Sequence, residues 1–388
     1  MQHDKNDETC RVCFVSTIMW PLKVFMVPHI LRVSKYAEVT LVSSDAESFG
    51  LSRLGVNARL KNIEIARAIN VASDFIALFK LISFFRLHRF QCVHSMTPKA
   101  GLLAMIAATV ARVPVRIHTF TGQVWVTRKG PFRYFLKCLD VAIGFMATNL
   151  LVDSPSQRDF LIANHVVKKE KVNVLGIGSI VGVDIERFSP DDAARSRVRA
   201  ELGIDLSEFV YIYVGRLNQE KGIDDLLNAF NSVLSVYSDV HLLLVGPDEG
   251  GFDDHISSLS QGCGLKVHRV KFTDSPECYM AAADVICLPS YREGFGSVLI
   301  EAAAVGMPAI ATSIYGVTDA VVSGVTGVLY EPGKVSGLTL LMSQMRRDGV
   351  VRMRMGTAAQ LRVRESFSQQ NLVDAFDKYY RDLGIYKV

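Results

Sequence analysis

The chain of 388 residues lacks the features that mark secreted and membrane-spanning proteins. Its first ten residues are polar and contain no apolar segment typical of a signal peptide. The longest run without a charged residue, residues 302–318, has 17 residues and is interrupted by Gly306, Pro308 and Gly316, whereas a spanning helix needs about 20 apolar residues. The seven cysteines form an odd set without the spacing of a disulfide framework. We therefore expect a cytoplasmic protein that does not cross a membrane.

Three further absences bear on function. No strand-like run is followed by Gly-x-Gly-x-x-Gly, which argues against a dinucleotide-dependent oxidoreductase. No Asp-x-Asp loop is suited to holding Mg²⁺ or Mn²⁺, so we expect neither a metal site nor a cofactor. The formal net charge is only +4, and no stripe of basic and aromatic residues occurs. Nucleic acid is therefore not an expected partner.

The charge is distributed unevenly along the chain. Residues 1–184 contain 23 Lys and Arg against 13 Asp and Glu, and residues 185–388 contain 20 against 26. A basic first half favours an anionic partner such as a membrane surface, although a solvated basic surface would give the same counts. The segment Asp74–Phe90 adds five phenylalanines among basic residues. It is typical either of a helix in a bilayer interface or of one packed on a sheet.

Short β-rich runs alternate with helical stretches, which predicts parallel sheets covered by helices on both faces. Two such blocks predict an α/β protein with two doubly wound, Rossmann-like domains and a cleft between them. Gly176–Pro190 contains three glycines and a proline and is the expected hinge. The first domain is expected to comprise residues 1–183 and to be completed by an amphipathic helix in residues 368–388. The second is expected to comprise residues 184–367.

The first chemical motif follows a predicted strand that ends at Val214. Gly215 allows the backbone to turn, and Arg216 and Lys221 then lie between the strand and the next helix. Ligands of open parallel sheets bind at this end of the strands. Two cations beside a helix N-terminus suit a diphosphate group.

The second motif is Arg292–Glu301, which follows another predicted strand. Glu293 lies in its loop, Gly294 and Gly296 allow a ligand to approach the backbone, and Ser297 is expected to cap a helix. Glu301 lies one turn into this helix, on the same face as Ser297. Its carboxylate could accept hydrogen bonds from two ribose hydroxyls.

Two weaker features lie at the same sheet edge. Gly246 follows the strand Val240–Val245 and opens a second loop. Phe272 ends the run Val267–Phe272, where a flat base could stack. Together with the two motifs, they predict a nucleotide-binding site in the second half of the chain.

The sequences GRLNQEKG and EGFGSVLIE, followed by MPAIAT and GVTGVLYEPG, resemble the retaining glycosyltransferases of family 4. The resemblance covers residues from about 115 to 380 and implies the GT-B fold, in which two Rossmann-like domains face across a cleft. It implies that Arg216 and Lys221 neutralise the diphosphate leaving group and that Glu301 binds the ribose. Glu293 would contact the donor sugar, and Gly294, Phe295 and Gly296 would supply backbone contacts.

In the first half, the run RIHTFTGQV contains His118 at a strand end, where the family often has a histidine near the donor sugar and acceptor. Thr119, Thr121 and Gly122 would line the acceptor side of the same site. The run HTFTGQVW is similar to bacterial enzymes that build surface polysaccharides on a polyprenyl diphosphate lipid. The glycine pair that many members carry after the first strand is missing, and Ser16–Pro21 stands in its place.

The resemblance implies a retaining transfer of a hexose or N-acetylhexosamine from a nucleotide-sugar, expected to carry UDP, to a lipid-linked saccharide. The product would be a surface polysaccharide such as O-antigen, capsule or exopolysaccharide. Such an enzyme would act as a peripheral protein on the inner face of the plasma membrane. Two alternatives stay open at this point. One is a nucleotide-sugar epimerase of the same fold, and the other is an inactive, membrane-associated partner of another transferase.

Overall fold

A computed structural model of the chain describes residues 10–48, 55, 57–66, 70–254, 256, 257 and 266–387. It divides into two compact units, residues 1–181 with 370–388 and residues 182–369. These limits lie within two residues of the boundaries expected from the sequence.

The described part of the first unit contains a parallel sheet with the strand order β3-β2-β1-β4-β5-β6-β7. The strands are β1 Arg11–Val15, β2 Glu38–Ser43, β3 Ala58–Asn62, β4 Cys92–Met96, β5 Val115–Phe120, β6 Asn149–Val152 and β7 Val172–Val174. The helices are α1 Met19–Phe25, α2 Val27–Val33, α3 Val71–His88, α4 Pro98–Val110, α5 Gly130–Met146 and α6 Pro155–Ala163.

Helices cover both faces of this sheet. Successive side chains of each strand point to opposite faces and therefore enter different cores. On β1, Cys13 and Val15 pack in the apolar core beneath α3, α4 and α5, whereas Val12 and Phe14 pack in the core beneath α1 and α2. A C-terminal helix over Gln369–Asp382, which we number α14, packs on the second face.

The described part of the second unit contains a parallel sheet with the order β10-β9-β8-β11-β12-β13. The strands are β8 Phe209–Val214, β9 Val240–Val245, β10 Val267–Val270, β11 Val285–Leu288, β12 Ala309–Thr312 and β13 Gly327–Tyr330. The helices are α7 Asp192–Leu202, α8 Ile223–Leu234, α9 Pro276–Ala281, α10 Ser297–Ala304, α11 Val317–Ala320, α12 Val335–Arg347 and α13 Gly349–Ser366.

The Phe-rich segment expected over Asp74–Phe90 is the helix α3, which packs on the sheet through Ala77, Leu81 and Phe85. Its other side exposes apolar side chains, among them Phe75 and Phe79. One face of α3 therefore packs on the sheet, as the second interpretation expected. The opposite face is exposed, so contact with a bilayer interface stays a prediction. In the described ranges, no helix is long and apolar enough to span a bilayer.

Candidate active site

The loops after β8 and β9 approach each other closely at the carboxyl edge of the second sheet. Gly246 has a φ of +135° and leaves no room for a Cβ atom, which would meet the carbonyl oxygen of Gly215. Hydrogen bonds join the loops, since the Leu217 amide donates to Pro247 at 2.8 Å. Gly246 therefore allows the two loops to pack closely, and its contact with a ligand stays a prediction.

Lys221 is fixed by the short 3₁₀ turn Gln219–Lys221. The Asn218 side chain accepts a hydrogen bond from the Lys221 amide at 3.1 Å. Gly222 then takes a φ of +69° and lies against the carbonyl of Pro289, where a Cβ atom would not fit. The loop after β8 is therefore in direct contact with the loop after β11.

Polar contacts strengthen this junction of the two loops. The Tyr291 amide donates to the carbonyl of Glu220 at 2.9 Å, and the Arg292 guanidinium lies 2.6 Å from the Glu220 carboxylate. The junction brings the ammonium of Lys221 to 2.5 Å from the carboxylate of Glu293. The two motifs predicted from the sequence thus meet in the folded chain.

Glu293 is held by more than its ion pair. The Ser290 hydroxyl donates to the same carboxylate oxygen at 2.7 Å, and the Thr312 hydroxyl in turn donates to the Ser290 carbonyl at 2.6 Å. Only 12% of the Glu293 side chain is exposed. The cation and the hydroxyl therefore fix the position of the Glu293 carboxylate.

Arg216 lies in a more open position than Lys221. Its carbonyl accepts a hydrogen bond from the Tyr213 hydroxyl at 2.8 Å, which fixes the backbone. Its guanidinium pairs with Glu249 at 2.8 Å, and both side chains are about half exposed. Such an exposed pair is worth only about 0–1 kcal/mol, so an anionic ligand can compete for the guanidinium.

The start of α10 corrects one expectation. Ser297 is the first residue of the helix, and Gly296, with a φ of +80°, occupies the capping position without a side-chain hydrogen bond. Glycine takes this left-handed conformation at little steric cost, so the helix begins one residue earlier than it would with Ser297 as its cap. The first amide groups of α10 therefore lack a side-chain cap, which suits an external anion.

The loop Gly294–Gly296 can contact a ligand only through its main chain. The Phe295 side chain is buried, and its ring lies 5.4 Å from that of Phe367. Gly316 lies against the Gly294 carbonyl and leaves no room for a Cβ atom. The backbone contacts of the three residues with a donor stay a prediction.

Glu301 lies one turn after Ser297 on α10. Burial raises the pKa of its carboxyl to about 7, the Arg187 guanidinium opposes this shift, and Glu277 adds to it. Arg187 itself is paired with Glu277 at 2.9 Å. Glu301 is therefore an acceptor whose charge is sensitive to pH near neutrality.

Phe272 follows β10, and 70% of its surface is exposed. The sequence predicted that the strand extends to Phe272, but β10 ends at Val270, so Phe272 lies in the loop that follows. An aromatic side chain left open at this edge is compatible with stacking on a base, which stays a prediction.

In the first unit, the carboxyl end of β5 borders a small pocket that is open to solvent. Four predicted residues line it, namely His118, Thr119, Thr121 and Gly122. The structure thus brings the acceptor-side residues together, and their roles stay predictions.

His118 is almost fully buried, and its ring lies over Gly101 of α4. Its Nδ1 forms a hydrogen bond with the Ser95 hydroxyl at 2.9 Å. Burial lowers the pKa of His118 to about 3, so the imidazole is neutral near pH 7. It is therefore suited to a hydrogen bond with a ligand and is a weak general base.

Thr119 points toward the opposite face of the sheet. Its hydroxyl forms a hydrogen bond with Nε2 of His94 at 2.7 Å, and Nδ1 of His94 reaches the Tyr380 hydroxyl at 2.7 Å. The side chain of Thr119 is thus already engaged. It adds main chain rather than a free hydroxyl to the pocket.

Sequence reasoning missed Asp140, which also lines this pocket. Its carboxylate accepts a hydrogen bond from the Trp125 indole at 2.9 Å. One feature of the sequence singles it out, since Asp140 is the one acidic residue between Asp74 and Asp153.

The chain is similar to known proteins in both sequence and fold. Residues 194–362 match the family described as "Glycosyl transferases group 1", and residues 32–178 match the "Glycosyl transferase 4-like domain". The capsular polysaccharide biosynthesis glycosyltransferase CapM of Staphylococcus aureus is 33% identical over 350 residues, which cover 89% of this chain and 90% of CapM. A D-inositol 3-phosphate glycosyltransferase of Arthrobacter sp. (strain FB24) is 29% identical over 246 residues, 62% of this chain and 57% of that protein.

Two solved structures show the same fold. HepE of Anabaena, in a complex with UDP and glucose, has a TM-score of 0.79 at 19% identity and covers 96% of this chain and 100% of its own. WaaG, a glycosyltransferase involved in lipopolysaccharide biosynthesis, has a TM-score of 0.74 at 16% identity and covers 95% and 99%. The expected fold class, two Rossmann-like domains of the GT-B type, is confirmed. The chain belongs to the group 1 glycosyl transferases and is a glycosyltransferase.

Proposed function

We propose that the chain transfers a hexose or N-acetylhexosamine from a UDP-sugar to a lipid-linked saccharide during surface polysaccharide synthesis. One observation carries the donor part of this proposal. Lys221 and Glu293, from loops after different strands, meet at the carboxyl edge of the second sheet, beside the uncapped start of α10. The complexes of HepE with UDP and UDP-glucose support UDP as the carrier, and the relation to CapM supports a polysaccharide product.

We assign the cationic and anionic donor-site residues to different parts of the nucleotide-sugar. Breaking the bond between sugar and phosphate leaves a diphosphate anion, and the protein must stabilise this charge where it develops. Arg216, Lys221 and the first amides of α10 supply positive charge for it. The Glu301 carboxylate accepts hydrogen bonds from the ribose hydroxyls, and the Phe272 ring packs on the base.

The transfer itself needs no strong protein base. The bond between the anomeric carbon and the phosphate oxygen breaks, the acceptor oxygen bonds to that carbon, and the acceptor proton passes to a phosphate oxygen. We propose that the new bond forms on the face from which phosphate leaves, so the configuration is retained. Glu293, already bound by Lys221 and Ser290, orients the sugar and does not act as a nucleophile. Arg216 and Lys221 supply the charge that a metal ion supplies in other transferases.

We also propose that the first unit binds an anionic membrane. In a parallel sheet, the crossover helices begin at the edge where the strands end, so α3 and α5 begin on the same side. Exposed apolar residues lie in the first half of each of these helices, and we call them the aromatic surface: Phe75, Ile76, Phe79, Phe132, Tyr134 and Phe135. Residues 75–152 contain ten Lys and Arg and one acidic residue. Aromatic side chains flanked by cations suit the headgroup region of anionic lipid.

The donor proposal is tested by thermal stabilisation with a panel of UDP, GDP, ADP, NAD and UDP-sugars. A ligand at about 100 times its dissociation constant adds roughly 2.7 kcal/mol of stability. We expect UDP and one UDP-sugar to raise the melting temperature of the wild type and to fail with Glu301→Ala. Stabilisation by NAD alone, or by nothing in a folded sample, would contradict the proposal.

A further inference from the structure

The segment from Thr121 to Thr127 has little local support of its own. It leaves β5, forms one 3₁₀ turn over Val124–Thr127, and supplies much of the wall of the pocket beside His118. A single 3₁₀ turn has poor hydrogen-bond geometry and does not persist without tertiary contacts. Something outside the segment must therefore hold it in place.

Trp125 is one of two anchors of this segment, and the other is Gln123, whose Oε1 accepts a hydrogen bond from the Gln157 side-chain amide at 3.3 Å. Only 1% of the Trp125 surface is exposed, and its ring stacks on Phe160 of α6 at 5.4 Å between centroids. On the α5 side, the cations of Arg133 and Lys137 lie 5.7 and 5.5 Å from the ring centre. The indole is thus enclosed by two helices, and its N–H group needs an acceptor there.

Asp140 of α5 supplies that acceptor. The indole N–H donates to its Oδ2 at 2.9 Å, and both side chains are buried. Among the residues that the structure describes, Trp125 is the one hydrogen-bond donor to this carboxylate. A buried carboxylate with one neutral donor is costly to the fold, so its place beside the pocket calls for an explanation.

We propose that Asp140 is a positioning residue for the acceptor, acting through Trp125 on the segment that carries Thr121 and Gly122. This inference rests on the proposed function, since it takes the pocket at β5 as the acceptor side. Loss of the carboxylate leaves the indole N–H without its acceptor and loosens the segment. Binding of the hydroxyl-bearing acceptor then weakens, whereas the nucleotide site in residues 182–369 is unaffected.

The fluorescence of Trp125 reports directly on whether its indole stays buried. The chain has two tryptophans, and Trp20→Phe leaves Trp125 as the single reporter. In this background we expect Asp140→Ala to shift the emission to the red and to raise acrylamide quenching at least about twofold. Asp140→Asn, which keeps an acceptor oxygen, should stay near the parent, and Asp159→Asn on α6 is the matched control. Unchanged emission and quenching in Asp140→Ala would overturn the proposal.

The rate of cleavage by trypsin is a second measurement, and it needs neither sugar donor nor acceptor. Arg128 and Lys129 directly follow the segment, and Lys129 is exposed, so cleavage there should be faster in Asp140→Ala and in Trp125→Phe. If the two residues act through one hydrogen bond, the double variant should be cleaved no faster than the more sensitive single variant. Additive effects would contradict a shared contact.

Activity separates positioning from a merely structural role. With the UDP-sugar that the panel selects, Asp140→Ala should keep the parent's UDP affinity and its slow donor hydrolysis in water. Transfer to a polyprenyl-diphosphate-linked N-acetylhexosamine in detergent micelles should fall about tenfold through a higher acceptor KM. Equal acceptor KM in variant and parent would overturn the proposal. If the parent itself neither binds UDP nor transfers sugar, the proposed function has failed, and the fluorescence test still decides the anchor.

Discussion

The ammonium of Lys221 lies 2.5 Å from the carboxylate of Glu293, although 72 positions separate the two residues in the chain. Each residue is fixed locally, Lys221 by the turn that Asn218 caps and Glu293 by the Ser290 hydroxyl. The pair therefore joins the loops of two strands into one preorganised site. The site and its surroundings lead to four predictions about the donor residues, the fold and the membrane surface.

Removing either donor-site cation should lower turnover strongly. We expect Arg216→Ala and Lys221→Ala each to reduce kcat by at least about 100-fold, the scale for losing one preorganised electrostatic contact. Steady-state kinetics of UDP release measures this effect. Lys271→Ala, which removes an exposed cation near the same sheet edge, is the matched control and should stay within about twofold. Near-normal turnover in both site variants would exclude the assigned role.

Glu301 should make stability depend on pH. Burial raises the pKa of its carboxyl from 4.5 to about 7. Between these values the folded chain binds a proton that the unfolded chain has released, so this group's contribution to stability is present below pH 4.5 and is lost as pH rises through about 7. Glu301→Gln lacks this dependence and should gain stability relative to the wild type between about pH 5 and 8. Urea unfolding at both pH values measures the difference, and parallel profiles would contradict the raised pKa.

Gly222 should tolerate alanine poorly because of its neighbour as well as its backbone. Gly203 has a similar φ of +67° and open space within 4 Å of the position that a Cβ atom would take, whereas at Gly222 the Cβ would meet the Pro289 carbonyl. Gly203→Ala should lose roughly 1–2 kcal/mol from the left-handed conformation alone. Gly222→Ala should lose at least about 1 kcal/mol more, since overpacking adds to that cost. Urea unfolding measures the free energy of unfolding of both variants. Equal losses would show that the contact of Gly222 with Pro289 adds no destabilisation, which would contradict the prediction.

The aromatic surface should bind anionic vesicles. Replacing Phe79 and Phe135 with Asp should reduce co-sedimentation with vesicles of phosphatidylglycerol and phosphatidylcholine at least about tenfold, because it adds like charge and removes apolar contact. Leu87→Asp alters a similarly exposed residue at the other end of α3 and is the control. Binding that is equally weak in the control, or unchanged in the double variant, would contradict this surface as the contact.

The donor-side residues could be predicted from the sequence because short motifs place them at strand ends of a parallel sheet. Arg216, Lys221, Glu293 and Glu301 all lie on loops or helices that follow buried strands. The sequence could not show that Lys221 pairs with Glu293 or that Gly296 displaces Ser297 from the cap. These features depend on backbone angles and on contacts between distant loops.

Other features escaped prediction for physical reasons. The edge strand β3 has the polar sequence ARLKN and is partly exposed, so it lacks the apolar pattern of a strand. The contact of Asp140 with Trp125 joins a helix to an irregular segment, which no periodicity encodes. The absence of other acidic residues around Asp140 was visible in the sequence.

Sugar transfer from a nucleotide donor can be followed with a labelled sugar. Wild-type protein is incubated with a radiolabelled UDP-sugar and a polyprenyl-diphosphate-linked N-acetylhexosamine, and UDP and lipid-extractable label are measured together. We expect equal amounts of UDP and lipid-bound label from the wild type, and both formed at least about 100-fold more slowly by Lys221→Ala. Release of UDP with all label left as free or epimerised sugar, or no release by a folded protein, would contradict the proposed transfer.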